Sequence, residues 1–162
     1  MANKARPIFP PPCHDHKRCT SAALAHAQAR CAERARRLTP TRRRVLETLL
    51  ENHNPLGAYE IIDRMANGNS RPAPITVYRA LDFLRANGLV HRIERRNAFI
   101  ACVSDHADGD LVVFFICERC GAVGEGSGGA VATALKASSR AVGFSPKSPV
   151  VEIVGICSHC RG

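Results

Sequence analysis

Long apolar runs are missing from this sequence. No stretch approaches the ~18 consecutive apolar residues of a membrane-spanning helix, which excludes a helical membrane protein. The opening MANKARPIFPPPCHDHKRC is basic but lacks the apolar segment of a secretory signal, so the chain reads as cytosolic. Acidic residues are also scarce, 14 against 23 Lys and Arg, and the resulting net charge of +9 points to a polyanionic partner. Arginine in turn is nearly absent from Ala98 to Gly126, where Arg119 stands alone, whereas fourteen arginines lie from Arg30 to Arg96. The front half is therefore basic and the back half cysteine-rich. Signs of global disorder are lacking too: 45% of residues are apolar, and 162 residues suffice for one average domain or two small ones.

Residues 1 to about 20 hold four prolines and show no apolar period, which reads as a flexible tail. A weakly amphipathic, alanine-rich helix is expected from Ser21 to Arg37. In LTPTRRRVLETLLEN, Thr39 suits an N-cap and Pro40 the first helical position, where a missing N–H costs nothing. Val45, Leu46, Leu49 and Leu50 then form a core-facing stripe. AYEIIDRMA predicts a second helix with Ile61, Ile62 and Met65 inward. ITVYRALDFLRANG predicts a third, with Ile75, Tyr78, Leu81 and Leu84 on one stripe and Gly88 as its C-cap. LVHRIE and NAFIACV are strand-like and joined by a polar turn. Three short helices and a hairpin make a winged helix-turn-helix over residues 21–103, whose third helix would enter the DNA major groove.

Residues 104–110 form a polar hinge. Beyond it, LVVFFIC is a strand apolar on both faces, SGGAVATALKASSRAVGF a helix with Val131, Leu135 and Val142 inward, and SPVVEIVGIC a last strand. Residues 111–162 thus form a small α+β domain, and the fold class as a whole is α+β. The doubly apolar strand suggests a face covered by another subunit.

Eight cysteines in a reducing compartment read as metal ligands or redox groups rather than disulfides. Cys117 and Cys120 form one C-x-x-C pair, and Cys157 and Cys160 another 36 residues on, each at a strand end. This spacing matches a tetrahedral four-thiolate site for structural Zn²⁺. A thioredoxin-type redox pair would instead occur once, at a helix N-terminus in a βαβ setting.

On the basic side, the exposed face of the third helix would carry Thr76 and Arg79, with Tyr59 from the preceding helix nearby. Arginine grips guanine O6 and N7, and threonine or tyrosine reaches phosphates or thymine methyls. Arg42, Arg43, Arg44, Arg95 and Arg96 would neutralise phosphates. The alternative for each is a solvated basic face.

LTPTRRRVLETL, AYEII, ITVYRALDFLRANGLVHRIE, FICERCGAV and GICSHC together resemble the ferric uptake regulator family of bacterial metal-sensing repressors, and within it the zinc-uptake branch. The resemblance runs from about Cys31 to Cys160. It implies a homodimer that binds an AT-rich palindromic operator in double-stranded DNA. It also implies a structural four-cysteine zinc and a second, exchangeable zinc at the hinge, so two Zn²⁺ per subunit. His91, Cys102 and Glu125 stand where such proteins hold sensor ligands. The fourth ligand is usually a histidine shortly before the first C-x-x-C. Here Asp110 occupies that register and His106 is the nearest histidine, so both remain candidates. Read alone, His91 is an ordinary strand-end histidine and Cys102 a small buried apolar group. A thiolate at Cys102 favours zinc over Fe²⁺ or Mn²⁺. The tail's CHDHKRC reads as an adventitious metal binder. The rival readings are an iron, manganese or peroxide sensor, a zinc enzyme using Cys102, His91 and Glu125, and a thiol–disulfide enzyme. No feature of the sequence suggests the substrate cleft that catalysis would need.

Overall fold

A computed structural model of the chain describes residues 8–9, 16–51, 54–67, 70–102, 110–147 and 149–162. It divides into two compact units, one within Cys13–Val103 and one within Ser104–Gly162 together with residues 8–9.

The first unit opens with α1 (His16–Glu33). This helix begins inside the stretch expected to be a tail and ends four residues before Arg37, with Ala35 at a positive φ of 50°. Its inward stripe is Leu24, Ala27 and Cys31, spaced by three and four as a helix requires. The next helix, α2 (Pro40–Leu50), starts behind Thr39 with proline in the first turn and buries Val45, Leu46, Leu49 and Leu50. After it, α3 (Ala58–Met65) buries Ile61, Ile62 and Met65, and the Glu60 carboxylate accepts from the Gly57 amide at 2.7 Å to close its N-terminus. The third helix of the motif, α4 (Pro74–Ala86), departs from expectation on its inward face. Val77, Ala80, Leu81 and Leu84 are buried there, while Ile75 is 58% exposed and Tyr78 41%. The expected 75–78–81–84 stripe shares two members with the true one but is rotated around the helix from it.

Gly88 ends α4 at φ +67°. The Leu89 amide donates to the Leu84 carbonyl (2.9 Å) and the Gly88 amide to the Arg85 carbonyl (3.0 Å), a complete Schellman closure. Arg30 of α1 fastens here as well, its Nε donating to the Asn87 carbonyl at 2.8 Å.

The wing consists of β1 (Val90–Ile93) and β2 (Ala98–Ala101), antiparallel with Val90 opposite Ala101 and Ile93 opposite Ala98. A 3₁₀ turn, Glu94–Arg96, and left-handed Asn97 join them. Leu56 bridges to Phe99 on the other side of β2, through amide–carbonyl bonds of 2.9 and 2.8 Å.

The second unit is a three-stranded sheet ordered β4 (Val123–Ser127), β3 (Val112–Cys117), β5 (Val151–Gly155). The central β3 is apolar on both faces and largely buried, antiparallel to β4 and parallel to β5. The crossover helix α5 (Gly129–Ala141) carries no buried residue. Val131 is half-buried, Leu135 is 36% exposed and Val142 is 78% exposed, so among the described residues the inward face expected of this helix is largely uncovered. The short α6 (Ser158–Arg161) closes the chain.

Gly88→Ala is expected to cost about 1–2 kcal/mol. Its φ is left-handed, and an added Cβ would lie 2.9 Å from the Arg30 guanidinium. Urea unfolding followed by circular dichroism would register the loss.

Candidate metal centres and nucleic-acid face

Parallel pairing of β3 and β5 sets up the first candidate centre. Cys117 lies opposite Gly155, so both C-x-x-C turns emerge at the same end of the sheet. Gly121, at φ +80°, lets the chain reverse directly after Cys120, and the Gly121 amide closes on the Cys117 carbonyl at 3.0 Å. The second turn repeats this closure, with the Arg161 amide donating to the Cys157 carbonyl at 3.1 Å, and the Cys160 amide reaches the same carbonyl at 3.0 Å. Arg119 of the first knuckle donates to the Cys160 carbonyl of the second. All four sulfurs lie within 4.8 Å of one another, with Cys120 Sγ and Cys157 Sγ 3.8 Å apart. A tetrahedral ion with Zn–S bonds of ~2.3 Å demands sulfurs ~3.8 Å apart. The donor set and its spacing therefore fit Zn²⁺.

Backbone amides also prepare the site for thiolate. The Cys157 amide points at Cys117 Sγ (3.4 Å). That bond, followed by one from Cys120, lowers the Cys117 thiol to about 6. Cys160 is pushed up to about 12, first by the Cys157 sulfur beside it and then by burial. One sulfur is thus ready as a thiolate at neutral pH, while another surrenders its proton only to a metal.

The wing carries the second pair of ligand candidates. In the β1–β2 register His91 faces Ile100, and the Cys102 amide donates to the Leu89 carbonyl at 2.9 Å. His91 and Cys102 therefore occupy diagonal positions on one face of the hairpin, and their ligand atoms are within 4.8 Å. His91 Nε2 is shut off from solvent. Within the second unit, Glu125 sits on β4 opposite Phe114, half-buried, with its Oε1 also closed to solvent. Asp110 is exposed, just ahead of β3. His106 and most of the 104–110 hinge lie outside the described residues, as do Cys13 and His14 of the CHDHKRC cluster.

The basic residues divide into two groups. Tyr59 is 63% exposed, and Thr76 and Arg79 face outward on α4. Arg95 and Arg96 are exposed in the turn of the wing. The α2 arginines, exposed or half-buried, each meet a partner within the chain. Arg42 stacks 3.5 Å over the Phe83 ring and donates to the Arg37 carbonyl at 2.6 Å. Arg43 pairs with Glu47 at 2.8 Å, and Arg44 donates to the Met65 carbonyl at 2.6 Å. Arg42 and Arg44 thus also link α2 to α4 and α3, whereas the Arg43–Glu47 pair lies within α2.

A winged helix-turn-helix carried in one chain with a four-thiol knuckle domain has the architecture of a metal-dependent regulator. The chain belongs to the ferric uptake regulator family, whose profile matches residues 33–154. It is 35% identical over 144 residues to the zinc uptake regulation protein of Escherichia coli (strain K12), covering 89% of this chain and 84% of that protein. It is 32% identical over 124 residues to the zinc uptake regulation protein of Mycobacterium tuberculosis, covering 74% and 91%. Among solved structures, a zinc uptake regulator complexed with zinc and DNA superposes with a TM-score of 0.82 at 35% identity, covering 88% of this chain and 95% of that one.

Acidification should weaken zinc binding at the knuckles, because below about pH 6 Cys117 joins Cys160 as a protonated thiol that the metal must displace. Competition with a chromophoric chelator between pH 8 and pH 5.5 should give an affinity that falls as pH falls, and more steeply below about pH 6. Cys157→Ser should remove one equivalent of tightly held zinc and lower the melting temperature of the second unit.

Proposed function

We propose that this protein is a zinc-responsive transcriptional repressor that binds operator DNA as a homodimer and controls genes for zinc uptake. The observation that carries the DNA part is α4. Its core stripe leaves Thr76 and Arg79 pointing outward from the first turns of a helix-turn-helix, where base edges are read. Its relatives are zinc uptake regulation proteins, and a similar regulator is known with both zinc and DNA bound. Membership in a family of regulators also disfavours the enzyme readings. Among the described residues no helix is long and apolar enough to cross a membrane, in keeping with action on DNA in the cytoplasm.

Two zinc ions per subunit are proposed. Cys117, Cys120, Cys157 and Cys160 would hold the structural ion. His91, Cys102 and Glu125 would hold the regulatory one, with Asp110 or His106 as the fourth ligand. Bound there, the ion supplies a crosslink between ligands that lie on either side of the 104–110 hinge in sequence. The imidazole and thiol of the wing are presented on one hairpin face, and a metal that binds the DNA-competent arrangement better by ~1.4 kcal/mol shifts affinity tenfold. Cys102 distinguishes zinc from the iron, manganese and peroxide alternatives, since a thiolate suits Zn²⁺ better than it suits the harder ions.

The homodimer is supported by the second unit. The edge strand β5 exposes Ile153 (45%) and Val154 (38%), and α5 has no buried residue, so apolar surface is left for a second copy. An AT-rich palindrome would follow from two-fold symmetry and from apolar and tyrosine side chains presented to thymine. Tyr59, Thr76 and Arg79 would contact bases or nearby phosphates, and Arg95 and Arg96 the backbone. Arg42 and Arg43 would contact the backbone as well: the surface pair Arg43–Glu47 is worth under ~1 kcal/mol and leaves Arg43 able to turn to a phosphate, and Arg42 stacks on Phe83.

The test is operator binding by the metal-free dimer at buffered free Zn²⁺, Fe²⁺ and Mn²⁺. Zinc alone should restore high affinity, and restoration by iron or manganese instead would overturn the zinc assignment. Cys102→Ser should remain a folded dimer with its structural zinc and lose at least tenfold of the zinc-dependent gain. Arg79→Ala should bind about 5- to 100-fold more weakly, with relaxed base preference.

A further inference from the structure

We propose that Ile75 is a specificity-determining residue that reads the methyl group of a thymine in the major groove. The inference rests on α4 being the recognition helix and adds which base one of its side chains selects.

Four observations support it. Ile75 occupies the first turn of α4, directly after Pro74. It is 58% exposed, although Val77, Ala80, Leu81 and Leu84 of the same helix are all buried. Ile75 and Arg79 are four residues apart and so lie one above the other on the helix surface. Three positions further on, Tyr78 is 41% exposed, and Tyr59 on the preceding helix is 63% exposed. A single exposed aliphatic residue needs no explanation. Here, however, three large apolar or aromatic side chains face outward from the two helices of a helix-turn-helix, in a protein of net charge +9.

Chemistry then narrows the target. Ile75 has no hydrogen-bonding group in its side chain, so it cannot read base donors or acceptors. The apolar group that the major groove offers is the C5-methyl of thymine. The first turn of a recognition helix is the part that meets base edges. Arg79, one turn later, is matched to guanine O6 and N7. The two side chains would therefore select a thymine and a guanine close together in each half-site. Without thymine, the branched side chain of Ile75 would still lose its water but gain no apolar contact in return.

Deoxyuridine isolates that methyl group, because it pairs as thymine does and lacks only the C5-methyl. The full-length, zinc-loaded protein would first be used to select a binding site from random duplexes. Each thymine of the selected half-site would then be replaced singly by deoxyuridine, and affinity measured by fluorescence anisotropy. One position should cost the parent protein about three- to tenfold. Ile75→Ala should abolish that penalty, and Arg79→Ala should retain it. Ile75→Val should show an intermediate penalty and serves in place of Ile75→Ala should the latter bind too weakly to titrate. Equal penalties in parent and variants, or no methyl-sensitive position, would overturn the proposal. So would an unchanged penalty with a loss of cooperativity between dimers, which would make Ile75 a protein contact. Failure of the zinc-loaded parent to select any duplex would instead remove the recognition-helix reading itself.

Discussion

The second unit depends on four sulfur atoms meeting at one end of a sheet. Its crossover helix has no fully buried residue, and its edge strand β5 is only partly covered. The apolar centre of this unit is chiefly β3 with Leu111 and Val123. So small a core leaves little margin against the conformational entropy of about fifty residues. Parallel pairing of β3 with β5 is also an expensive topology to close, because α5 and its loops separate the strands. Thiolate ligation of the proposed zinc would fix the two strand ends together at the point where that closure is made. The proposed structural metal and partner subunit would then be complementary supports: the ion would secure the end of the sheet, and the second copy would cover exposed apolar surface.

The helical unit is built on the opposite principle. Leu46, Leu49, Ile61, Ile62, Leu81 and Leu84 are fully buried around one centre. Its surface arginines reinforce this core as much as they charge the surface. Arg30 fastens α1 to the end of α4, Arg44 ties α2 to the last residue of α3, and Arg42 covers Phe83. A rigid helical frame of this kind suits direct readout, since an outward-facing side chain on α4 keeps its position without help from a ligand.

Most of this architecture could be read from the sequence. Proline at a first turn, glycine at φ +67° after α4 and paired apolar residues in α2 and α3 are local signals, and each determined an element. The cysteine spacing was equally plain, although nothing in it revealed that the two strands would run parallel. The failures share one cause. On α4, Ile75 and Tyr78 fall at a spacing that continues through Leu81 and Leu84, so apolar periodicity alone drew the stripe through the wrong side of the helix. On α5 and at its C-cap, Leu135 and Val142 look inward in sequence but are 36% and 78% exposed. Periodicity reports that an apolar side chain is to be buried somewhere; it does not say whether the covering surface is the same chain, a second copy or a base pair.

The same reasoning explains why the two proposed metal-ligand sets differ so much in legibility. A structural site must hold without help, so its four ligands come as close-set pairs on rigid turns, and spacing alone declares them. A regulatory site must let its metal go, and ligands on separate segments allow it to form and dissolve with conformation. Such ligands appear in sequence as an isolated histidine, cysteine and glutamate, each with an ordinary structural explanation. Only the hairpin register brings His91 and Cys102 onto one face. A sensing site is faint in sequence for the same physical reason that it can sense.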